Sequence, residues 1–587
     1  MAQKSELIQV DRTRFSSRVL AEPQRESDKP HDECGIIGIY APGADIAGLT
    51  ARGIIYETGR GEEGWGLALN RGRSGTFYQT GEGKLRDSVD FEEYFVVAPR
   101  ISVPQLREYG SDHFTTGVGQ ARYSTSGRKD AWQPFFDEKT RIATVHNGNL
   151  TNARRLLELV QDKKKNDPPS DTWALHQLVV EAPGENLEQR LLHVLPMVDP
   201  AASLIFSNPD QVFGYRDYLG MKPLELAEFI DGSGYLLASE DSAVRRLGAR
   251  KIRDIKPGEG VVIDKDGPRT FFRDSRSEEV RKALCFFEMV YTMRPDSFFQ
   301  GQPVSEIRYR LGAIGAQKHL ERGIIPTLVV PVQESGVLYA QGYINEMSRH
   351  SDVKVLDIKT GIIKDSYSGR VFITKSGTDR GVATTNKHTA NAFDLDNESV
   401  AIIEDSIVRG DASTGTVRDA RSGYLAYRDV PIAPKSFLGE PSEGEVVYRA
   451  PRFGYANQVP SLTHWTEDQA SRVVGPPQSV HFLSVAPMIL NPCYWGMAFG
   501  DKGELAPTRF APNANVKPEV AELVRQAIGA DTLVYLEDHD ILTGIWPDGY
   551  NFDPNDPDGP MRQNGFCARC IGEDPPTPID GVLGLVR

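Results

Sequence analysis

The chain has 587 residues, 39% hydrophobic and 25% charged, enough for roughly two to four globular domains. Its formal net charge of −14 lacks the basic footprint of a nucleic-acid binder, and no apolar run approaches the ~18 residues of a membrane helix, so neither nucleic acid nor membrane is an expected partner. Five cysteines in such a length exclude a disulfide-dense secreted scaffold, the odd count leaves at least one unpaired, and a cytoplasmic location is expected.

Residues 1–33 mix acids and bases (Lys4, Glu6, Asp11, Arg12, Arg14) around few apolar positions. They lack the apolar core of a secretory signal and are too acidic for an organelle transit peptide, which leaves a disordered extension or a propeptide ending at Glu33. Residues 34–40, Cys-Gly-Ile-Ile-Gly-Ile-Tyr, read as a buried strand. Further short runs at Gln211–Gly214, Tyr235–Ala238 and Gly260–Ile263, separated by Gly- and Asp-rich turns, predict a β-rich first domain with a few helices over 34–275. Beyond it the rhythm changes. Ile307, Leu311 and Ile314 place a helix over Ser305–Leu320, and buried-strand runs follow at Leu328–Val332, Val353–Ile358 and Val400–Ile403. Strands alternating with helices predict an α/β second domain with a parallel sheet over 276–587. Residues 430–478, rich in Pro, Gly and Ser, and 547–563, with Pro547, Pro554, Pro557 and Pro560, read as long loops.

Residues able to do chemistry fall in short motifs. Cys34 opens the first strand. A thiol is a strong nucleophile once deprotonated, and it needs a base beside it. With residues 1–33 removed, Cys34 carries its own α-amine, whose reference pKa of about 7.7–8.0 suits that task; with Glu33 attached, the same nitrogen is an amide. Taken alone, a cysteine before a strand is more often a small buried core residue. Downstream come Arg60 within Gly59–Gly64, then Gln120-Ala121-Arg122-Tyr123-Ser124-Thr125, His146-Asn147-Gly148-Asn149-Leu150, and Ser170-Asp171-Thr172. A thiol attacking the carboxamide of an amino acid needs an oxyanion hole, a cation for the α-carboxylate and an anion for the α-ammonium. Asn147 with the Gly148 backbone, Arg122, and Asp171 can supply these in turn.

In this order the segments resemble the amidophosphoribosyltransferase family, whose first half is an N-terminal-nucleophile glutaminase. Gly220-Met221-Lys222-Pro223-Leu224, Ala238-Ser239-Glu240 and Lys256-Pro257-Gly258-Glu259 add to the likeness, and Gln120 stands where the family usually has His. The resemblance implies an α+β glutaminase domain built as an αββα sandwich, followed by an α/β phosphoribosyltransferase-like domain with a parallel sheet. It implies that Cys34 is the nucleophile, that Asn147 and Gly148 form the oxyanion hole, and that Arg122 and Asp171 hold glutamine. The other four cysteines are Cys285, Cys493, Cys567 and Cys570. By chemistry alone, the Cys567–Cys570 CxxC suits zinc, iron–sulfur or redox roles, or four unrelated reduced thiols. One branch of the family holds a [4Fe–4S] cluster on cysteines at matching places, so the resemblance implies such a cluster on all four, with zinc as the alternative.

Residues 400–413 resemble the family's phosphoribosyltransferase motif: a strand, two acids, then a loop into a helix. The resemblance implies that Glu404, Asp405, Ser406, Arg409 and Gly410 bind the acceptor, that Mg2+ accompanies phosphoribosyl pyrophosphate, and that backbone N–H groups at the helix N-terminus cradle its 5′-phosphate. Here the sequence departs from the pattern. Glu404 replaces an Asp, and Asp411 and Ala412 replace two Thr. A carboxylate ~4 Å from a phosphate costs on the order of 1 kcal/mol per charge pair in water, and several times that in a shielded pocket. Gln333-Glu334-Ser335 stands for the family's Pro-Asp-Ser, and Ser366 for an Arg. The expected function is transfer of ammonia from glutamine to phosphoribosyl pyrophosphate, giving phosphoribosylamine, glutamate and pyrophosphate, as in purine biosynthesis. The departures keep two alternatives open. One is a different ammonia acceptor in a specialised pathway, with a partner protein at 430–478. The other is an inactive regulatory homologue, against which the intact Cys34, Arg122, Asn147 and Asp171 set argues. A homo-oligomer is expected from the family.

Overall fold

The computed structural model describes residues 34–71, 75–83, 85, 114–122, 131–162, 168–350, 357–359, 361–364, 388–395, 397–428, 445–448, 463–466, 477–514 and 516–576. The extension 1–33, Ser366 and most of the 430–478 segment lie outside them. The described part of that segment includes an antiparallel pair, Glu445–Tyr448 with Thr463–Thr466.

Two antiparallel sheets form the first domain. One holds β1 (Gly35–Tyr40), β2 (Gly64–Arg71), β3 (Gly75–Glu82), β4 (Thr116–Arg122), β9 (Glu225–Phe229), β10 (Tyr235–Ala238) and β11 (Ala249–Asp254), in the order β11-β9-β10-β1-β4-β2-β3. The other holds β5 (Phe135–Asp137), β6 (Ile142–Gly148), β7 (Ala202–Ser207), β8 (Val212–Arg216), β12 (Glu259–Asp264) and β13 (Gly267–Arg273), in the order β13-β12-β8-β7-β6-β5. Because side chains alternate along a strand, β1 serves two cores. Ile37 and Ile39 point outward into a layer with Ile46, Leu49 and Ile54 of α1 (Ile46–Tyr56). Ile36 and Tyr40 point inward, against Val145 of β6 and Ile205 of β7. The second sheet is covered by α2 (Ala153–Leu159), α3 (Asp171–Glu181) and α4 (Leu187–Val194) through Leu156, Leu175 and Leu191. Each such fully buried aliphatic side chain contributes about 1.5–3 kcal/mol. The result is the αββα sandwich expected from the resemblance.

The second domain is organised on a five-stranded parallel sheet. Its strands are β14 (Leu328–Pro331), β15 (Asp357–Ile358), β16 (Ser399–Glu404), β17 (Ser479–Ser484) and β18 (Thr532–Tyr535), in the order β15-β14-β16-β17-β18. The central strand β16 is buried on both faces, with Val400 and Ile402 in one core and Ala401 and Ile403 in the other. That explains its unbroken apolar run. The helix read from Ile307, Leu311 and Ile314 spans Val304–Glu321. Of the strand expected over Val353–Ile358, the described part is Asp357–Ile358. The tail returns to the start of the domain: Leu284–Cys285 pairs in parallel with Phe566–Cys567, with Cys285 opposite Cys567. Among the described residues no helix is long and apolar enough to cross a membrane.

Candidate active sites

The strand register brings the glutaminase residues to one end of the sandwich. Cys34 precedes β1, and β1 runs antiparallel to β4 with Gly35 opposite Ala121, so Cys34 and Arg122 lie at the same end. Alternation fixes the faces. Val118 belongs to the core between the sheets, so Gln120 and Arg122 of β4 face the same way. Ala143 and Val145 belong to that core as well, which puts Asn147 of β6 on its sheet's inner face. Cys34 is the residue immediately before the strand, next to Gly35. Gln120 joins the two sheets beside these residues by donating from Nε2 to the His146 carbonyl at 2.7 Å. Gln133 holds the same backbone from the other side, accepting from the His146 N–H at 2.7 Å.

Each polar group has a distinct setting. Cys34 is 8% exposed. Asn147 is fully buried, and neither its Nδ2 nor its Oδ1 has a hydrogen-bond partner among the described residues. A buried amide left unsatisfied costs about 1–3 kcal/mol per group, so such a group calls for a reason. Gly148 has φ +139, and a Cβ there would stand 2.3 Å from the Ala201 carbonyl oxygen, so only glycine suits the turn that ends β6. Arg122 is buried, donates to the Ala131 carbonyl and lies with its guanidinium carbon 5.5 Å from the Trp132 ring centre. Asp171 starts α3 behind the Ser170 cap. Its carboxylate accepts from the N–H groups of Leu150 at 2.9 Å and Thr172 at 2.7 Å, which ties it to the segment following Gly148. An ionised carboxylate has lone pairs beyond those two bonds.

Arg60 is not among these contacts. It is 1% exposed and anchors a buried ion network spanning both domains. Its guanidinium meets Glu240 at 2.6 Å and Glu288 at 2.9 Å, and Lys222 meets Glu288 at 3.3 Å. Burial by itself raises the Glu288 carboxyl, but Arg60 and Lys222 outweigh it and hold the group below its ordinary value. The two domains also meet where Asn149 Nδ2 donates to the Tyr494 carbonyl at 2.8 Å.

At the carboxyl end of β16, where open α/β sheets bind ligands, Glu404, Asp405 and Ser406 are buried side by side. Their groups are partly engaged within the protein: Ser413 donates to Glu404 Oε2 at 2.9 Å and Ser406 to Asp405 Oδ2 at 2.8 Å. Arg409 and Gly410 lead into the helix Asp411–Arg428, and Arg409 stands 3.5 Å from Glu504. Asp411, the residue that opposes a phosphate by its charge, forms an ion pair with Arg509. Nothing in the sequence marks Arg509 as its partner, because the two lie 98 positions apart.

The remaining four cysteines meet in one cavity of about 20 Å³ at the domain junction, lined by Cys285, Cys493, Cys567 and Cys570 with Lys222 and Trp495. Burial, then the neighbouring thiols, pushes Cys567 up to about 12, and burial raises Cys285 and Cys570 well above the usual thiol range. Among the described residues no group of three or more His, Cys, Asp or Glu stands close enough to hold a single metal ion.

Two helix-covered antiparallel sheets with a buried thiol just before the central strand, joined to a parallel-sheet domain with paired acids at a strand end, are the architecture of a glutamine amidotransferase coupled to a phosphoribosyltransferase-like domain. Residues 120–246 match the family described as a glutamine amidotransferase domain. The amidophosphoribosyltransferase of Mycobacterium tuberculosis is 29% identical over 528 residues, covering 88% of this chain and 83% of the relative. That of Archaeoglobus fulgidus is 27% identical over 561 residues, covering 93% and 99%. The solved structure of glutamine phosphoribosylpyrophosphate amidotransferase from B. subtilis, complexed with ADP and GMP, matches with a TM-score of 0.67 at 25% identity, over 94% of this chain and 100% of that one. The chain is thus similar to amidophosphoribosyltransferases through both domains.

Proposed function

We propose that this protein is a glutamine-dependent amidotransferase that transfers ammonia to phosphoribosyl pyrophosphate. The observation that carries the reading is the strand register that brings Cys34 and Arg122 to the same end of the sandwich as Asn147, whose amide is unsatisfied among the described residues. A hole that awaits an oxyanion leaves its donor unpaired in the resting protein.

Removal of residues 1–33 gives Cys34 an α-amine. That amine takes the Sγ proton, and the thiolate attacks the carboxamide carbon of glutamine, held by Arg122 at its α-carboxylate and by Asp171 at its α-ammonium. The oxyanion accepts from Asn147 Nδ2 and the Gly148 N–H. Collapse breaks the C–N bond, the α-amine returns its proton to the departing nitrogen, and ammonia leaves a thioester on Cys34. Water then cleaves the thioester, releasing glutamate and restoring the thiol. In the second domain ammonia forms a bond to C1 of phosphoribosyl pyrophosphate as the C1–oxygen bond to pyrophosphate breaks. Glu404 and Asp405 would hold the ribose hydroxyls, and Mg2+ bound with the substrate would supply charge neutralisation at its phosphates. The Asp411–Arg509 pair lessens the electrostatic objection raised by the sequence, since the cation partly offsets that carboxylate. For this reason phosphoribosyl pyrophosphate, rather than another acceptor, is the reading favoured.

Four cysteines lining one buried cavity support a [4Fe–4S] cluster there, with zinc as the alternative four-thiolate metal. Cys285, Cys493, Cys567 and Cys570 would hold it, and it would supply a crosslink between the tail and the start of the second domain. A reduced, cytoplasmic setting and a homo-oligomer accord with this reading. The test is simultaneous measurement of glutamate and pyrophosphate release from anaerobically purified protein. Glutamine with phosphoribosyl pyrophosphate is expected to give both in equal amounts; glutamate without pyrophosphate would overturn the acceptor.

A further inference from the structure

The C-terminal neighbour of the nucleophile is packed against a carboxyl group that no step above uses. Glu57 caps the end of α1 and is 2% exposed. It sits where a side chain at position 35 would go: a Cβ on Gly35 would stand 2.5 Å from Glu57 Cβ and 2.8 Å from Oε2. The glycine after Cys34 is therefore required by the presence of Glu57. From there the carboxyl reaches into the buried ion network, its Oε1 accepting from the Glu240 N–H at 3.2 Å. Glu240 in turn binds Arg60 at 2.6 Å and accepts from Ser297 of the second domain at 2.8 Å. The adjacent Ser239 holds the same strand, its Oγ accepting from the Ile36 N–H at 3.0 Å and its own N–H donating to the Ile36 carbonyl at 3.1 Å.

We propose that Glu57 is a positioning residue of the glutaminase, a wedge between Gly35 and the Glu240 backbone that fixes Gly35 and, through it, Cys34. The inference rests on the reading of Cys34 as nucleophile. Charge balance sets the form in which Glu57 acts. The network already holds two cations, Arg60 and Lys222, and two carboxylates, Glu240 and Glu288, so an ionised Glu57 adds an uncompensated charge in a dry interior. The groups that face it agree: burial and the Glu240 carboxylate raise its proton affinity, Arg60 opposes them, and Glu225 adds to the rise while itself bound to Lys251 at 2.8 Å. The uncharged carboxyl fills space and offers one acceptor to the Glu240 N–H, which an amide oxygen does equally well.

Three variants of the full chain test this, read by kcat and KM for glutamine hydrolysis together with thermal unfolding. Glu57→Gln is expected to keep kcat within about twofold of wild type. Glu57→Asp, which withdraws the oxygen by one methylene, is expected to lower kcat several-fold, and Glu57→Ala, which empties the wedge, at least tenfold. KM for glutamine stays within about twofold in all three, because Arg122 and Asp171 are untouched. Wild-type kcat in both Glu57→Asp and Glu57→Ala would overturn the proposal, as would a Glu57→Gln loss as large as that of Glu57→Ala. If Glu57→Ala does not fold, the Asp and Gln variants carry the same contrast. A wild-type protein that releases no glutamate would instead overturn the assignment of Cys34.

Discussion

The two ends of the molecule prepare their substrates in opposite ways. At the glutaminase end the Asn147 amide is buried and has no hydrogen-bond partner among the described residues. At the acceptor end the corresponding groups are partnered from within: Ser413 binds Glu404, Ser406 binds Asp405, and Arg509 neutralises Asp411. In the proposed mechanism the first arrangement meets a charge that appears only during reaction, and preorganised donors are worth most when they need not reorganise at that moment. The second suits a substrate that brings its own charge and metal, and must first displace what holds the pocket. The acceptor end is therefore expected to tolerate substitution better than the glutaminase end.

Removing the thiol gives the widest separation between the two ends. Cys34→Ala is expected to lower glutamate release by on the order of 10⁴-fold or more, while pyrophosphate release driven by added ammonium salt stays near wild type. Equal loss of both reactions would merge the two sites into one. Next comes the oxyanion donor: Asn147→Ala is expected to reduce kcat for glutamine by about 10²–10³-fold with little change in KM. Steady-state kinetics separate this from Arg122→Ala, whose effect falls on KM, roughly 10- to 100-fold, the worth of a charge-assisted hydrogen bond of about 1.5–3 kcal/mol. At the acceptor end the effects shrink. Arg509→Ala uncovers Asp411 and is expected to raise KM for phosphoribosyl pyrophosphate about tenfold, and adding Asp411→Ala recovers most of the loss. A double variant as poor as the single would show that Arg509 does something other than offset that carboxylate.

A last contrast concerns acid. Burial lowers His176 of the first domain to about 4, and burial with His481 nearby lowers His319 of the second to about 3. Both stay neutral when folded and gain protons on unfolding at an ordinary pKa of about 6.5. The stability they confer is complete above about pH 6.5 and drains away as pH falls through 4 and then 3. Thermal unfolding followed from pH 7 to 4 is expected to drop steadily, and His176→Gln to flatten the part belonging to the first domain.

The sequence revealed the glutaminase end far better than the acceptor end, for a physical reason. Cys34, Arg122, Asn147–Gly148 and Asp171 sit in short motifs whose local backbone places them, so the proposed site can be read from the motifs. Residues acting across the fold left no such trace. Gln120 was visible only as a departure from the family's His, yet its side chain bridges the two sheets. Glu57 reads as an ordinary polar residue ending a helix, and Arg509 as a surface cation. Their meaning depends on which distant element folds against them. The central strand Val400–Ile403 was legible because both of its faces are buried; the expected strand over Val353–Ile358 lacks comparable support in the described residues.

The sulfur at position 34 carries the proposed chemistry. Incubation of the purified protein with the glutamine analogue 6-diazo-5-oxo-L-norleucine, followed by intact and peptide mass measurement, tests it most directly. A chain beginning at residue 34, carrying one adduct on that thiol and no longer able to make glutamate, is the predicted result. Full glutaminase activity in a chain that still starts at Met1, or an adduct confined to any other side chain, would contradict it.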